Sequence, residues 1–264
     1  DTVGAGDAVF AIGSLFAYAQ AEGELLALIG NCAGGIAANI IGNKESVTPE
    51  KLFNFIHHLY LENESKDVNE YLTNVSDALS KVNKGSISTF TKLLMEAYHN
   101  EKSIYVFGNG GSAATASHFC GDLIKGVSYG LDKRFRAICL NDNLPALMAI
   151  ANDISYDDIF VEQLKNFANK DDLVIGISGS GNSRNVVKAM EYAKIKGAKT
   201  VAICGYKGGK IKEISDLSIH AEVDDMEISE DIQNLVIIHC VKRMLTNELN
   251  NNHNVGEEYA KRIK

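Results

Sequence analysis

The chain of 264 residues has no tryptophan, only two prolines and no excess of basic residues, since 26 Lys and Arg stand against 34 Asp and Glu. Proteins that bind a nucleic-acid backbone carry clustered basic side chains, so the net charge of −8 argues against a nucleic-acid partner. With 45% hydrophobic and 23% charged residues, the composition is that of a globular protein and excludes a disordered or fibrous chain. The length allows one large domain or two unequal ones.

Long apolar runs and paired cysteines are also missing. The most apolar stretches, residues 8–21 and 25–41, are interrupted by polar side chains and fall short of the roughly 20 apolar residues that a membrane helix needs. The five cysteines form no CxxC pair, and their odd number is typical of reduced thiols. We therefore expect a cytoplasmic protein without a membrane partner. Because residue 1 is Asp and no signal-like segment follows, the chain is expected to start inside a longer coding sequence or at a cloning boundary.

The N-terminal segment is unusual because its first 43 residues contain no Lys or Arg. Its apolar residues predict helices over 7–21 and 23–41, and Thr48 followed by Pro49 predicts the start of a third helix that ends near residue 60. Three helices without a sheet and with so little charge make a poor independent domain. The polar run 62–67 is the predicted linker to the rest of the chain.

After the predicted linker the sequence alternates between helical and strand-like segments. Helices are predicted over residues 68–82, 86–98, 113–125, 184–195 and 227–249. Short apolar strands are predicted over residues 103–107, 136–140, 173–177, 200–204 and 217–220. Strands that alternate with helices indicate an α/β fold with a parallel sheet covered by helices on both faces.

Two loops that follow predicted strands share one chemical design. Residues 108–112 read Gly-Asn-Gly-Gly-Ser, and residues 178–183 read Ser-Gly-Ser-Gly-Asn-Ser. Each combines glycines, which permit a tight turn, with serines at the start of a helix, where unpaired N–H groups bind anions. One such loop alone is most simply a capped strand-to-helix turn, whereas two on one sheet predict a phosphate site. Neither ends in the Gly-Lys-Ser/Thr of a nucleotide P-loop, and the first lacks the three-glycine spacing of dinucleotide-binding proteins.

These loops, together with His118-Phe119, Asn152-Asp153 and the continuation of the second loop through residue 189, resemble the sugar isomerase (SIS) fold and, within it, the phosphoheptose isomerases. The resemblance covers about residues 68–250. It implies a flavodoxin-like parallel sheet in a homodimer or homotetramer with sites at subunit interfaces, and it implies isomerisation of sedoheptulose 7-phosphate to D-glycero-D-manno-heptose 7-phosphate. The substrate-binding residues that it implies are Asn109, Gly110, Gly111, Ser112, Asp153, Ser178, Gly179, Ser180 and Ser183.

The implied reaction needs one group to take a proton from the carbon next to the carbonyl and another to move the oxygen proton through an enediol. In the family these groups are a glutamate four residues after the histidine of the first helix and a histidine on the last helix. The matching catalytic positions in this chain are Asp122 and His239. Aspartate is one methylene shorter than glutamate. The family arginine four residues further on is replaced by Gly126, with Lys125 as the nearest cation.

The resemblance also implies a metal site, because some members place a glutamine metal ligand eight residues before the last-helix histidine. The implied ligands are His118, Asp122, Asp231 and His239. Two histidines and two carboxylates suit a tetrahedral zinc ion, so zinc is the expected cofactor. Glu230 or Gln233 are alternatives to Asp231. Cys120 is expected to be a buried apolar residue rather than a ligand.

Residues 1–7, Asp-Thr-Val-Gly-Ala-Gly-Asp, resemble the signature of ribokinase-like (PfkB) carbohydrate kinases. In that family the glycine turn, here Gly4 and Gly6, stabilises the transferring phosphoryl group, and the aspartate, here Asp7, deprotonates the acceptor hydroxyl. This resemblance extends to about residue 60 and covers only the last helices of the kinase fold, so no kinase activity is expected. The predicted organisation is a kinase C-terminal fragment over 1–61, a linker over 62–67 and a SIS domain over 68–264.

The sequence therefore predicts an aldose–ketose isomerase that acts on a phosphorylated seven-carbon sugar in nucleotide-heptose biosynthesis. The alternative is a non-catalytic SIS module that binds sugar phosphates or a protein partner. An amino-sugar phosphate isomerase or etherase shares the phosphate loops, but no lysine or glutamate motif in the sequence selects it.

Overall fold

The computed structural model describes residues 4–40 and 45–249, without the side chains of residues 60–66. The chain divides into two compact units, Asp1–Thr73 and Asn74–Lys264. In the first unit, helices α1 (Ala5–Tyr18) and α2 (Gly23–Ala38) begin close to their predicted starts, and α1 ends three residues early. The predicted end of the second helix, residue 41, lies outside the described residues. A small apolar core of this unit contains Ile29, Cys32, Ala33 and Leu52.

Helix α3 runs without a break from Pro49 to Lys81. The prediction of two helices separated at residues 62–67 is wrong, because this segment is helical. Its residues are mostly Glu, Lys, Asn and Ser, with neither Gly nor Pro to end a helix, so polarity alone does not interrupt the backbone hydrogen bonds. The boundary between the two compact units falls inside α3, between Thr73 and Asn74. The assignment of residues 1–61 to a kinase fragment stays a prediction.

The second unit is built on a five-stranded sheet in which every neighbouring pair is parallel. The strands are β1 (Ser103–Gly108), β2 (Arg136–Cys139), β3 (Leu173–Ser178), β4 (Lys199–Cys204) and β5 (Leu217–His220). All five predicted strands are present within one residue at each end. Their spatial order is β2-β1-β3-β4-β5, which is the flavodoxin-like order. The prediction of a parallel α/β sheet is confirmed.

Helices cover both faces of this sheet. They are α4 (Lys84–His99), α5 (Gly111–Gly121), α6 (Leu144–Asp153), α7 (Val161–Phe167), α8 (Arg184–Ile195), α9 (Gly209–Ile214), α10 (Met226–Gln233) and α11 (Lys242–Glu248). Two separate apolar cores result, one on each face, and all six residues of β3 are buried. A strand buried on both faces must be apolar throughout, which explains the uninterrupted Leu-Val-Ile-Gly-Ile run of β3.

Two π-helical segments extend α-helices of the second unit. Helix α5 is followed directly by the π-helical turns Asp122–Val127, and α10 and α11 are joined by Asn234–Val241. Single π-helical turns inside α-helices are rare and frequently occur at functional sites. Both segments here carry predicted site residues, Asp122 and His239. Among the residues that the structure describes, no helix has the length and apolarity to cross a membrane.

Candidate active site

Both predicted phosphate loops lie where the order of the sheet reverses. Strands β1 and β3 are hydrogen-bonded neighbours, and Gly108 at the end of β1 is paired in register with Ile177 of β3. The chain continues from β1 to β2 on one side and from β3 to β4 on the other side of the sheet. Ligands of open α/β sheets bind in the crevice outside the strand ends at such a point. The topology therefore brings loops 108–112 and 178–183 together at one place, as the sequence predicts.

The second loop folds around the hydroxyl group of Ser178. Its Oγ lies 3.1 Å from Oγ of Ser183 and accepts a hydrogen bond from the Gly181 N–H at 3.1 Å. Ser183 stands at the N-cap of α8, yet its side chain makes no capping hydrogen bond. The Val186 N–H donates to Oδ1 of Asn185, which leaves the N–H groups of Arg184 and Asn185 without a side-chain cap, and this is the condition for anion binding at a helix N-terminus. Ser180 is exposed at the tip of the loop.

A third glycine-rich loop, residues 205–209, supports the second one. The Gly205 N–H donates to the Gly179 carbonyl at 2.8 Å, and the Ile211 N–H donates to the Gly181 carbonyl at 3.0 Å. Gly181 has a φ of +67°, and a side chain there would collide with the backbone of Gly208. Sequence reasoning missed this support, although Gly205, Gly208 and Gly209 after a predicted strand were a usable signal.

The first loop is fixed by asparagine side chains. The amides of Asn109 and Asn185 exchange two hydrogen bonds of 2.9 Å, and Asn185 is 1% exposed. Asn141, which follows β2, bonds both the N–H and the carbonyl of Gly108, at 3.2 and 2.8 Å. The Tyr156 hydroxyl donates to Oδ1 of Asn109 at 3.0 Å. Asn141, Tyr156 and Asn185 are site residues that sequence reasoning did not select.

Two further residues predicted for the substrate site, Ser112 and Asp153, differ in burial and in their hydrogen bonds. Ser112 is buried in the first turn of α5, and the N-cap of that helix, Gly110, makes no side-chain capping bond. Asp153 is exposed at the end of α6 and accepts a hydrogen bond from the Asn152 side chain at 2.7 Å. Among the described residues, Asp153 makes no hydrogen bond or ion pair with the loops, whereas Tyr156 bonds to Asn109. A sugar-binding role of Asp153 stays a prediction.

The predicted acid–base residues come together on neighbouring helices. His118 and Asp122 lie four residues apart, with Nε2 of His118 at 3.8 Å from Oδ2 of Asp122. The rings of His118 and His239 meet edge to face with their centroids 6.2 Å apart. The side chain of Asp122 is 12% exposed and that of His118 is 59% exposed. One carboxylate and two imidazoles thus form a cluster that is open to solvent on the histidine side.

Asp122 has a further partner, which sequence reasoning missed. The Nζ of Lys242 lies 2.5 Å from Oδ1 of Asp122. Lys242 belongs to α11, which follows the π-helical segment that carries His239. No sequence pattern identifies this pair, because its residues are 120 positions apart.

The predicted zinc ligands do not all join this cluster. Asp231 is exposed, and among residues 4–40 and 45–249 no group of three or more His, Cys, Asp or Glu side chains is placed to hold a metal ion. Oδ1 of Asp122 is occupied by the Lys242 ammonium. The donor set as it stands does not fit a tetrahedral zinc ion, and zinc binding stays a prediction.

The two alternatives to Asp231 also lie elsewhere. Glu230 places its carboxylate against Gly111, at the N-terminus of α5. Gln233 is buried, its Nε2 donates to Oγ of Ser229 at 3.5 Å, and its Oε1 has no hydrogen-bond partner in the described part of the chain. Neither residue is therefore a neighbour of the histidines by any contact that the described residues show.

The cysteines are consistent with reduced thiols, and all five are free. Cys120 is buried, and a hydrogen bond with Cys139 and burial both raise its pKa, so it is a neutral thiol rather than a thiolate ligand. Burial raises the pKa of Cys204 to about 12. Cys240 is exposed. The expectation that Cys120 is a buried apolar residue is confirmed.

The predicted kinase motif lies in the first compact unit and is only partly described, because residues 1–3 lie outside the described residues. Gly4 is the N-cap of α1 with a φ of +90°, and Asp7 is in the first turn. Gly4 and Asp7 line a cavity of about 380 Å³ with residues of α2 and the segment before α3. Gly6 has open space around it. The motif thus keeps a glycine turn at a helix start with an aspartate beside a cavity.

Comparisons with known proteins agree with this geometry. The SIS domain family model matches residues 69–205. A phosphoheptose isomerase of Helicobacter pylori strain P12 is 41% identical over 156 residues, which cover 57% of this chain and 80% of the relative. The solved structure of a phosphoheptose isomerase from Neisseria gonorrhoeae aligns with a TM-score of 0.64 and 25% identity, over 71% of this chain and 99% of that one. A phosphoheptose isomerase from Francisella tularensis gives a TM-score of 0.65 at 23% identity over 70% of this chain and 98% of that one, which shows the shared fold.

Proposed function

Because the chain belongs to the SIS-domain family and, within it, to the phosphoheptose isomerases, we propose that it interconverts sedoheptulose 7-phosphate and D-glycero-D-manno-heptose 7-phosphate. The observation that carries this proposal is the juxtaposition of the two serine loops at the β1–β3 crevice. A carboxylate–imidazole cluster, formed by the helix that leaves the first loop and by the segment Asn234–Val241, supplies the acid–base groups.

The loops provide the chemistry for a phosphate group. The N-cap residues of α5 and α8 make no side-chain capping bond, so we infer that the first two N–H groups of each helix, those of residues 111–112 and 184–185, are available to an anion. Hydroxyl groups of Ser112, Ser178, Ser180 and Ser183 add donors around the same crevice. Asn109 is held beside it by Asn185 and Tyr156, so its position is set before a ligand binds.

The cluster provides the chemistry for proton transfer. The isomerisation takes a proton from C1 of the ketose and returns one to C2, while the oxygen proton moves between O1 and O2 of the enediol. Oδ2 of Asp122 has no hydrogen-bond partner in the described part of the chain and is therefore free to accept a proton. The exposed ring of His239 supplies the second acid–base group. The position of the sugar carbons decides whether Asp122 or His239 removes the carbon-bound proton.

The two parts of the site are separated along one helix. Ser112 and Asp122 are ten residues apart, which at 1.5 Å per residue is about 15 Å. A seven-carbon sugar phosphate with C–C bonds near 1.5 Å spans about 10 Å when extended, and hydrogen bonds of about 3 Å at each end bring the two values close. Because the resemblance to the phosphoheptose isomerases implies sites at subunit interfaces, we infer that a substrate held by the loops of one chain reaches the acid–base cluster of a second copy, in a homodimer or homotetramer. The outward exposure of His118, 59%, supports this arrangement.

We infer a cytoplasmic location from the five free thiols, four of which are buried without a disulfide. We also propose that residues 1–61 derive from the C-terminal end of a ribokinase-like kinase. The left-handed Gly4 at the start of α1 and Asp7 in its first turn support this origin. A catalytic phosphoryl transfer in this chain is not part of the proposal.

The test is turnover of sedoheptulose 7-phosphate in deuterated water, followed by NMR of the sugar. We expect formation of the aldose with solvent deuterium at C2, because the enediol loses and regains its carbon-bound proton in the site. Asp122→Asn is the matched variant and should lose both the product and the exchange. Binding of the sugar phosphate without product or exchange in the wild type indicates the non-catalytic module, and absence of binding contradicts the whole assignment.

A further inference from the structure

The end of the Lys242 side chain lies beside Asp122 in a space that a side chain at residue 126 would enter. A Cβ atom at Gly126 would lie 2.7 Å from Cε and 3.0 Å from Nζ of Lys242. The same Cβ would lie 3.2 Å from Oδ1 of Asp122. A carbon–carbon distance of 2.7 Å is well inside van der Waals contact, so a side chain at 126 would require the flexible end of the lysine to shift. The Lys242 side chain of α11 therefore lies where the neighbouring segment Asp122–Val127 has no side chain, at residue 126.

The contact makes the two oxygens of Asp122 different. Oδ1 is engaged by the Lys242 ammonium at 2.5 Å, whereas Oδ2 is buried without a hydrogen-bond partner in the described residues. Oδ2 lies on the side of His118, whose Nε2 is 3.8 Å away. A charge-assisted hydrogen bond at one oxygen fixes the rotation of the carboxylate about its χ2 angle. The other oxygen then has one defined direction.

We propose that Lys242 is a positioning residue that supplies the cation beside Asp122, in the space left by Gly126, and thereby holds Oδ2 towards His118 as the oxygen that takes part in proton transfer. The role in turnover rests on the proposed isomerase function, whereas the contact itself does not. Aspartate has one methylene less than glutamate and so has less reach, and a displacement of about 1 Å costs about 100-fold in rate. A fixed carboxylate is therefore more important here than for a longer side chain.

The ammonium also decides what else binds at Asp122. Lysine has three donors and one positive charge, and it holds Oδ1, whereas a metal ion bound by His118 would use Oδ2 of the same carboxylate. A cation at Oδ2 and the Lys242 ammonium at Oδ1 repel each other by like charge. The proposal therefore predicts that zinc and Lys242 compete for the charge of Asp122.

The first experiment compares Lys242→Met with Lys125→Met. Methionine keeps the length of the side chain without the charge, and Lys125 is an exposed lysine next to Gly126 that serves as the matched control. We expect Lys242→Met to lower kcat by about 10- to 100-fold with KM changed by less than about threefold, because substrate binding uses the loops. Lys125→Met should match the wild type. A Lys242→Met protein with wild-type kcat overturns the proposal.

The second experiment moves the positive charge from residue 242 to residue 126. Gly126→Arg alone should be as impaired as Lys242→Met, because the arginine collides with Lys242. The double variant Gly126→Arg with Lys242→Met removes that collision and places a guanidinium beside Oδ1 of Asp122, so we expect it to regain at least about tenfold in kcat over Lys242→Met. A double variant that is worse than either single one contradicts the positioning role, and wild-type-like thermal unfolding of Lys242→Met excludes a loss through misfolding.

A third measurement is independent of turnover. Zinc is titrated into the wild type and Lys242→Met by calorimetry, after both proteins have been stripped of metal. We expect at least tenfold tighter zinc binding by Lys242→Met, and loss of that gain in the double variant Lys242→Met with Asp122→Asn. Equal zinc binding by the wild type and Lys242→Met overturns the competition. If the wild type shows no isomerase turnover, the proposed function fails and this titration still decides whether Lys242 holds the cation position.

Discussion

Asn109 and Asn185 hydrogen-bond to each other in both directions across the β1–β3 crevice, each bond being 2.9 Å long. One residue belongs to the first phosphate loop and the other to the first turn of α8, behind the second loop. The pair therefore links the two halves of the phosphate site before any ligand is present. Its geometry depends on amides at both positions, because each side chain is donor and acceptor at once.

We expect Asn185→Ala to destabilise the protein by about 1–3 kcal/mol, because it removes both bonds and leaves polar groups of Asn109 without their partner. The same change should raise KM for the sugar phosphate. Denaturant unfolding measures the first effect and steady-state kinetics the second. Tyr156→Phe is the matched control, since it deletes one bond to Asn109 from an exposed side chain and should cost less. Equal unfolding free energies of Asn185→Ala and the wild type would show that the link is not stabilising.

Inorganic phosphate should bind at the serine loops and compete with the substrate. Ser180 is exposed at the loop tip and its Oγ accepts a hydrogen bond from the Asn182 N–H at 3.2 Å, so its removal leaves the fold intact. We expect Ser180→Ala to weaken phosphate binding by about tenfold or more, which corresponds to about 1.4 kcal/mol, without a change in thermal stability. Ser215→Ala, outside both loops, is the control. Unchanged phosphate inhibition of Ser180→Ala would place the anion elsewhere.

Mixing two impaired variants tests whether one site is shared between copies. Ser180→Ala weakens binding at the loop side of the site, and His239→Ala removes a group of the acid–base side. If a site takes its loops from one copy and its cluster from another, unfolding and refolding the two variants together should raise kcat/KM above the mean of the two separate variants, because some mixed assemblies contain one intact site. Each variant refolded alone gives the baseline. Activity of the mixture at the mean of the two separate variants would show that each chain has a complete site.

Thiol chemistry should single out Cys240. It is exposed, whereas the other four cysteines are buried and burial raises the pKa of Cys32 and Cys204. We expect one thiol per native chain to react rapidly with a disulfide reagent at pH 8, and the remaining four to react after denaturation. The variant Cys240→Ser should have no rapid phase. A rapid phase of two or more thiols would mean that the buried cysteines become accessible in the native state.

The fold could be predicted well because its signals are local. An apolar run that ends in glycines, followed by an amphipathic segment, predicts a strand and a helix whatever lies elsewhere in the chain, and β3 with its loop shows this. The continuity of α3 could not be predicted in the same way. Residues 62–67 are polar, which is typical of linkers, but they contain no residue that ends a helix.

The site was predicted where it depends on motifs and missed where it depends on distant contacts. The structure brings Ser178 and Ser183 within hydrogen-bond distance and groups His118 with Asp122 and His239, as the motifs predicted, while the roles of these residues stay predictions. Lys242, Asn141 and Tyr156 were not found, because each reaches the site from a different element through the fold. Asp231 was selected by spacing alone, and spacing along a helix that contains π-helical turns does not keep the register of an α-helix.

The close approach of Lys242 to Gly126 also restricts how this protein can change over evolutionary time. A substitution at Gly126 displaces the lysine, and loss of the lysine leaves an unfilled space beside a buried carboxylate. We therefore expect each single step to be unfavourable and the two changes together to be tolerated. Relatives that carry a larger residue at the position of Gly126 are expected to have lost the lysine, so that the two positions covary although they lie on different helices.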